Sequence, residues 1–397
     1  MRFLTLCKSA NSLLVSVFGS RRHRPHVLQM PVTSRCNSRC LTCNVWKETT
    51  IKDIDPVKLE KTLADPFFSE VRTVGINGGE FTLIPDFPRI VQAILTLPSL
   101  QGIYLISNGL FPDRLFEYLQ TTKKICWEKH VNVHFCLSVD GARETHEKVR
   151  GIPGSFTRTT SILQQLKADS SHYCDSWSIG CTLSRHNIRQ IRETEAFLSS
   201  FEVPVEYHLA VPNKRIGTFG DAPYSVLEDE QSRLLAAEFF YCKYLENGDS
   251  PEGHRYFSSY YYLKNKGKGR LCSCSYRKRD VTIDESLGLS LCATASDRIG
   301  FLTENSASDC ARKGLLDAME KKVRNNCDTC IHYAYHPLTV SGRFIFLKDH
   351  IRHRDALMWY RIKSLPKMRV RIKESISLWL SERKYMTKGL LVYHYDR

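Results

Sequence analysis

Apolar and polar positions change rhythm along this chain, and the rhythm predicts elements before any chemistry is considered. Between residues 26 and 216, short runs rich in β-branched and aromatic residues alternate with stretches whose apolar residues recur at spacings of three and four. The short runs predict strands at 26–30, 71–76, 103–107, 131–139, 178–183 and 203–210. The longer ones predict helices at 56–64, 88–95, 114–120, 156–168 and 187–200, with Asp55 and Asn187 as N-caps. Strand and helix alternating in this way implies a parallel sheet with crossover helices. Six such units suit an open, partial (β/α)6 barrel rather than a closed eight-unit one. Ligands in such folds sit at the carboxyl ends of the strands. Polar and glycine-rich residues fall there, at 33–43, 77–80, 107–109, 140–141 and 213–217.

Outside this region the pattern changes. Residues 217–270 turn acidic and then aromatic, with Tyr256, Phe257, Tyr260, Tyr261 and Tyr262, and end in a Gly- and Lys-rich stretch at 264–270 that reads as a linker. We read 217–270 as a bridging helical segment, 271–335 as a cysteine-rich module and 336–397 as a basic helical tail. At the other end, Phe3, Cys7, Ala10, Leu14 and Val17 predict an amphipathic helix within 1–25, packed on the barrel or lying on a membrane surface. No apolar run approaches the roughly 20 residues of a membrane span.

Of the net charge of +15, +9 lies in residues 343–397, where 14 Lys or Arg face 5 Asp or Glu. Met368, Ile372, Ile376 and Leu380 give that tail an apolar stripe. Its charge reads as a solvated face, with membrane-surface contact as the alternative. The tyrosine cluster reads as core packing, so a nucleic-acid partner is disfavoured.

The cysteines change the picture. Fifteen of them, three within 36–43 and six within 272–330, exclude a secreted disulfide scaffold and point to a reducing, cytoplasmic setting. Cys36-x3-Cys40-x2-Cys43 sets three thiolates on one loop. A structural zinc site takes four protein ligands, whereas an iron-sulfur cube held by three cysteines keeps one iron open. The alternative is half a zinc site completed by His23 or His26.

The segment 33–43, TSRCNSRCLTC, resembles the CxxxCxxC signature of the radical S-adenosylmethionine (radical SAM) superfamily. The resemblance implies a 4Fe-4S cluster on Cys36, Cys40 and Cys43, S-adenosylmethionine at its open iron, and an external one-electron donor of flavodoxin or ferredoxin type. The chemistry implied is hydrogen abstraction by a 5′-deoxyadenosyl radical. Gly78, Gly79 and Glu80, after Asn77, resemble the GGE element that binds the methionine amino group. Phe81 departs from the proline common there, and Thr42 is smaller than the usual residue before the third cysteine. Residues 107–109 resemble the T/S-N-G element, and 138–141 with His146, Arg150, Gly151, Gly154, Ser155 and Phe156 resemble a stretch found in members with a cysteine-rich extension. That similarity carries over Ser107, Ser138 and Asp140 as ribose or methionine contacts and Arg150 as a carboxylate contact.

Cys274-x17-Cys292 followed by Cys327-x2-Cys330 resembles the twitch module, a shortened relative of the SPASM domain, with one auxiliary 4Fe-4S cluster. Cys272 competes with Cys274, and Cys310 is a further alternate. A four-cysteine zinc site is the alternative for the module. Residues 281–283 and 287–291 flanking Asp284, Glu285 and Ser286 read as its hairpin. His336 stands where a full SPASM domain would continue in cysteine.

Two substrate classes follow. The first is a small molecule, such as a sugar, cyclitol or lipid-linked intermediate, oxidised at carbon. The second is a peptide, as for SPASM maturases, disfavoured because only 35 residues precede Cys36. A molybdenum-cofactor-type enzyme fits less well, because 392–397 lack its glycine-rich tail. A non-catalytic zinc protein that binds nucleic acid is the reading from another class. No acid or base is assigned; Glu206, Tyr207 and His208 are positions to test, with His208 read as a core residue.

Overall fold

The computed structural model describes residues 24–332 and 337–352. The N-terminal amphipathic helix, the stripe from Met368 to Leu380 and His336 lie outside the described residues.

Strand β1 (Val27–Pro31) leads into helix α1 (Pro56–Leu63), where Asp55 accepts from the Val57 and Lys58 amides at 2.9 and 3.1 Å. Then follow β2 (Thr73–Asn77), α2 (Phe87–Ile94), β3 (Gly102–Ser107), α3 (Pro112–Trp127), β4 (Asn132–Ser138), α4 (Glu144–Arg150), α5 (Ser155–Asp169), β5 (Ser176–Leu183), α6 (Ile191–Ser199) and β6 (Val205–Leu209). All six strands are parallel, in the order β6-β5-β4-β3-β2-β1. This is the mixed α/β, TIM-like partial barrel that the alternation predicts.

The pleat sorts the two faces of the sheet. Leu28 and Met30, Val74 and Ile76, Ile103 and Leu105, and Phe135 and Leu137 are fully buried on one face. The other face is polar: Asn77 Nδ2 donates to Gln29 Oε1 at 2.7 Å, and Tyr104 and Ser178 both donate to Glu206 Oε1, at 3.2 and 2.8 Å. Glu206 is thus tied into the wall by side chains from β3 and β5.

Three expectations shift. Helix α3 runs to Trp127 rather than 120, because Thr122 and Cys126 continue its buried stripe without reading as strongly apolar. Asn187 does not cap a helix with its side chain. Its Nδ2 donates to the carbonyls of Asp140 and Thr182, at 2.8 and 2.9 Å, stapling the loops after β4 and β5. Helix α4 escapes the periodicity, since only His146 and Val149 among its seven residues are buried.

Helices α7 (Glu230–Asn247) and α8 (Pro251–Lys264) form the bridge. Their aromatic residues pack inward, with Phe240 and Tyr256 ring centroids 6.0 Å apart and Tyr244 and Phe257 5.0 Å apart. The chain then forms an antiparallel hairpin, β7 (Val281–Ile283) and β8 (Gly288–Ser290), extended by β9 (Gly300–Phe301). Strand β7 pairs in parallel with β1, so the cysteine-rich segment continues the barrel sheet into nine strands. Asp280 fixes the junction by accepting from the amides of His26 and Val27. Helices α9 (Ala307–Arg312), α10 (Leu315–Cys327) and α11 (Val340–Arg352) follow. Phe346 of α11 packs on Phe257, ring centroids 5.3 Å apart, which anchors the start of the basic tail on the bridge. No described helix is long and apolar enough to cross a membrane.

Candidate functional site

The loop after β1 carries Cys36, Cys40 and Cys43, all free and partly exposed. Two neighbouring backbones hold it. On one side Gly79 N donates to Thr33 O at 2.9 Å and Glu80 N to Arg35 O at 2.7 Å. On the other, Arg39 N donates to Arg150 O at 2.8 Å and Leu41 N to Val149 O at 2.9 Å. A Cβ on Gly79 would lie 1.8 Å from Arg35 O, and one on Gly151 2.5 Å from Arg39 O, so glycine is required by the closeness of two chains. Gly78 adds a φ of +114° that side chains rarely adopt.

The three thiols influence one another electrostatically. Burial pushes Cys36 up to about 12, with Cys40 and Cys43 adding to the rise, and burial also raises Cys43. Positive charge offsets this: Arg150 Nη1 lies 3.7 Å from Cys40 Sγ, and both Arg150 and Arg215 act on Cys43. Each of these arginines has a buried Nε that donates to nothing. Three thiols flanked by two guanidiniums with unspent donors fit an anionic thiolate-bound cluster and a carboxylate-bearing cofactor.

The remaining predicted contacts are distributed unevenly. The Glu80 carboxylate is buried and already accepts from Thr82 Oγ1, Ser107 Oγ and Asn108 N, at 2.9, 2.9 and 2.8 Å, and burial raises its pKa. Glu80 and Ser107 therefore bond each other and lock β2 to β3, leaving the Gly78–Gly79 backbone against the cysteine loop. Asp140 accepts from Thr182 N at 2.8 Å and pairs with Arg150 at 2.9 Å, which sets Arg150 beside Cys40. His146 accepts from Asp140 N at 3.2 Å. Ser138 ends β4, half-buried.

Cys274, Cys292, Cys327 and Cys330 also gather: Cys274, Cys292 and Cys330 all act on Cys327, and Cys274 and Cys292 on Cys330. Of the two alternates, Cys272 is buried with its Sγ 3.0 Å from Ser258 Oγ on α8. Cys310 is buried in α9 near Asp65.

Arg270, at the end of the predicted linker, is part of this module. Its guanidinium donates to the carbonyls of Cys272, Ser273 and Cys330 at 2.8, 3.0 and 2.8 Å, and to His332 O at 3.3 Å. Sequence reasoning missed it because the clasp joins its own neighbours to carbonyls some 60 residues away, which leaves no local pattern. Arg215 was missed for the same reason. It donates to Thr33 O and pairs with Glu285 at 3.1 Å, while its amide and that of Lys214 bond Ala293 and Thr294 carbonyls, stitching the loop after β6 to the hairpin module.

A cavity of about 520 Å³ is walled by residues that follow β1, by Lys214 and Arg215 and by the β7–β8 hairpin, with Cys292 of the second cysteine group and Val45, two residues beyond Cys43, in its lining. Thr282, fully buried, presents there a hydroxyl without a partner.

The sequence model of the Radical SAM superfamily matches residues 30–198. An AdoMet-dependent heme synthase of Methanosarcina barkeri is 26% identical over 220 residues, 53% of this chain and 57% of that protein. A GTP 3′,8-cyclase of Chlorobaculum tepidum is 32% identical over 95 residues, 23% of this chain and 28% of that one. The chain thus spans little more than half of the first relative and less of the second. In three dimensions it is similar to anSMEcpe with bound AdoMet, at a TM-score of 0.56 and 15% identity over 84% of this chain and 98% of the other. It is also similar to SuiB of Streptococcus suis with S-adenosylmethionine, at 0.53 and 14% over 80% and 72%. Superfamily members are enzymes that bind a 4Fe-4S cluster and S-adenosylmethionine, and SPASM and twitch members carry auxiliary clusters. On this match, on the cysteine loop and on the partial barrel, residues 30–198 of this chain form a radical SAM domain.

Proposed function

We propose that this enzyme oxidises a polar small molecule held in the cavity beside Cys292, between the segment that follows β1 and the β7–β8 hairpin. In this reading residues 26–216 are the radical SAM core and 271–335 the auxiliary module. Cys36, Cys40 and Cys43 hold the catalytic 4Fe-4S cluster, and Cys274, Cys292, Cys327 and Cys330 an auxiliary one. When bound, the catalytic cluster and S-adenosylmethionine supply one-electron cleavage of the sulfonium and abstraction of a substrate hydrogen atom. The chain's own residues do the positioning. The Gly78–Gly79 backbone closes over the cysteine loop, and Arg150, aligned by Asp140, offers its free Nε–H to a carboxylate. Arg215 holds the cavity wall against the hairpin.

The observation that carries the reading is the cavity itself, which Cys292 of the second cysteine group and Val45, two residues beyond Cys43, both line, with Lys52, Lys214, Arg215, Asp284, Glu285 and Arg298 in its walls. Its volume suits a small ligand, and its charged walls suit a hydrophilic one. The sequence relatives support this class, since a heme synthase and a GTP cyclase both act on small molecules. The peptide reading draws support from the fold neighbour anSMEcpe, solved with a bound Cp18Cys peptide. Open thiolate clusters suit a reducing, cytoplasmic compartment and a flavodoxin- or ferredoxin-type donor.

The test is anaerobic reconstitution with iron and sulfide. About eight irons per chain and reductive formation of 5′-deoxyadenosine support two cubanes; stoichiometric zinc without iron overturns the assignment. Cys36→Ala is expected to abolish cleavage, whereas Cys292→Ala retains abortive cleavage and stops turnover.

A further inference from the structure

Helix α11 has two faces of opposite character. One is docked: Phe346 is fully buried, with its ring centroid 5.6 Å from that of Tyr244, and Arg343 pairs with Asp249 at 3.3 Å. The start of the helix is held as well, because Thr339 N and Oγ1 both donate to Leu271 O, at 2.8 and 3.0 Å. A Cβ on Gly342 would lie 2.3 Å from that same carbonyl, so the helix sits directly against the cysteine-rich segment. It is therefore fixed to both the bridge and the module.

The opposite face is apolar and open. Val340, Phe344, Leu347 and Ile351 are 47%, 69%, 37% and 73% exposed. Spacings of four, three and four put them on one side of the helix, so they form a continuous stripe rather than scattered single residues. Contiguous apolar surface of this kind marks a site of contact. At about 3.6 residues per turn, Arg343 borders the stripe on one side, and Lys348 and Arg352, both exposed, border it on the other. An apolar stripe edged by cations is the arrangement with which a helix lies in a lipid interface, its long basic side chains reaching up to the phosphates. Charge decides between occupants. Residues 343–397 hold 14 Lys or Arg against 5 Asp or Glu, so two copies meeting through this face would repel, whereas an anionic surface is complementary.

We propose that the exposed face of α11 is a peripheral docking surface for a membrane of anionic phospholipid. Val340, Phe344, Leu347 and Ile351 enter the boundary between headgroups and acyl chains, and Lys348 and Arg352 meet lipid phosphates. The contact lies on the membrane and does not span it, since no described helix is long and apolar enough to cross. It is independent of the chemistry assigned to the two cysteine groups.

Co-sedimentation of the reconstituted full chain with mixed phosphatidylglycerol and phosphatidylcholine vesicles, against phosphatidylcholine vesicles alone, tests this. Partition into the anionic vesicles is expected, weakening as salt screens the charge. Phe344→Ser with Ile351→Ser, at the two most exposed positions of the stripe, is expected to weaken partition about ten-fold or more. The same variant is expected to keep the melting temperature of the free protein and its yield of 5′-deoxyadenosine. Lys348→Glu with Arg352→Glu is expected to weaken binding to the anionic vesicles and leave binding to the neutral ones unchanged. No partition, equal partition into both kinds of vesicle, or equal partition by the Phe344 and Ile351 variant and wild type overturns the proposal. A dimer seen by light scattering that the same variant abolishes also overturns it, and assigns the stripe to a second copy of the chain.

Discussion

Gly79→Ala offers the sharpest test of how the cysteine loop is held. A Cβ at this position would sit 1.8 Å from Arg35 O and 2.7 Å from Arg35 C, where ordinary contact begins at 3.4 Å. Both obstructing atoms are backbone, so no side chain can swing aside and the loop must retreat by more than an ångström. That retreat breaks the bonds from Gly79 N to Thr33 O and from Glu80 N to Arg35 O. Two backbone hydrogen bonds contribute about 2 kcal/mol together, which in a chain of this size lowers the melting temperature by about 2.5 °C. Gly300→Ala is the control, because nothing lies within 4 Å of its Cβ position. Thermal unfolding of the apoprotein reads the stability, and iron content after reconstitution reads the loop. Gly79→Ala is expected to lose the stated stability and most of the iron assigned to the first cysteine group, with Gly300→Ala unchanged on both counts. If Gly79→Ala melts within a degree of wild type and reconstitutes fully, the close approach is not what requires glycine.

Other outcomes follow from the same contacts. Arg270→Met removes a guanidinium bonded to four carbonyls, and reconstitution is expected to fall from about eight irons to about four, with S-adenosylmethionine cleavage retained; a full complement of iron would refute the clasp. Cys274→Ser is expected to lose the auxiliary iron and Cys272→Ser to keep it, since only Cys274 lies with the other three thiols; equal losses would reverse the assignment. His146 is buried neutral, with burial and Arg150 lowering its pKa from 6.5 to about 3. The unfolded chain therefore takes up a proton near pH 6.5 that the folded chain refuses. Stability present above pH 6.5 is lost progressively toward pH 3, by about 2 kcal/mol at pH 5. Urea midpoints between pH 7.5 and 5 check this, and His146→Gln is expected to flatten the slope.

Much of the architecture was legible in the chain because it is written in local periodicity. Each strand of the parallel sheet is a short apolar run, each crossover helix a repeat of three and four, and Asp55 caps its helix within three residues of itself. The cysteine spacing was equally local, since Cys36, Cys40 and Cys43 share one loop. The sequence by itself thus determined the barrel, the radical SAM motif and the two groups of thiols. It could not decide what those elements meet. Glu80 reads as a cofactor contact in the motif, and only the fold shows that its carboxylate also accepts from Thr82, Ser107 and Asn108. Asn187 reads as a cap and instead staples two loops. Arg270 reads as linker and clasps carbonyls 60 residues away. The hairpin was predicted, but not that β7 joins β1 and that Cys292 lines a cavity with residues from the segment after β1. These outcomes rest on hydrogen bonds and ion pairs between segments distant in sequence. A donor chooses the acceptor nearest in space, and only the tertiary structure fixes which one that is.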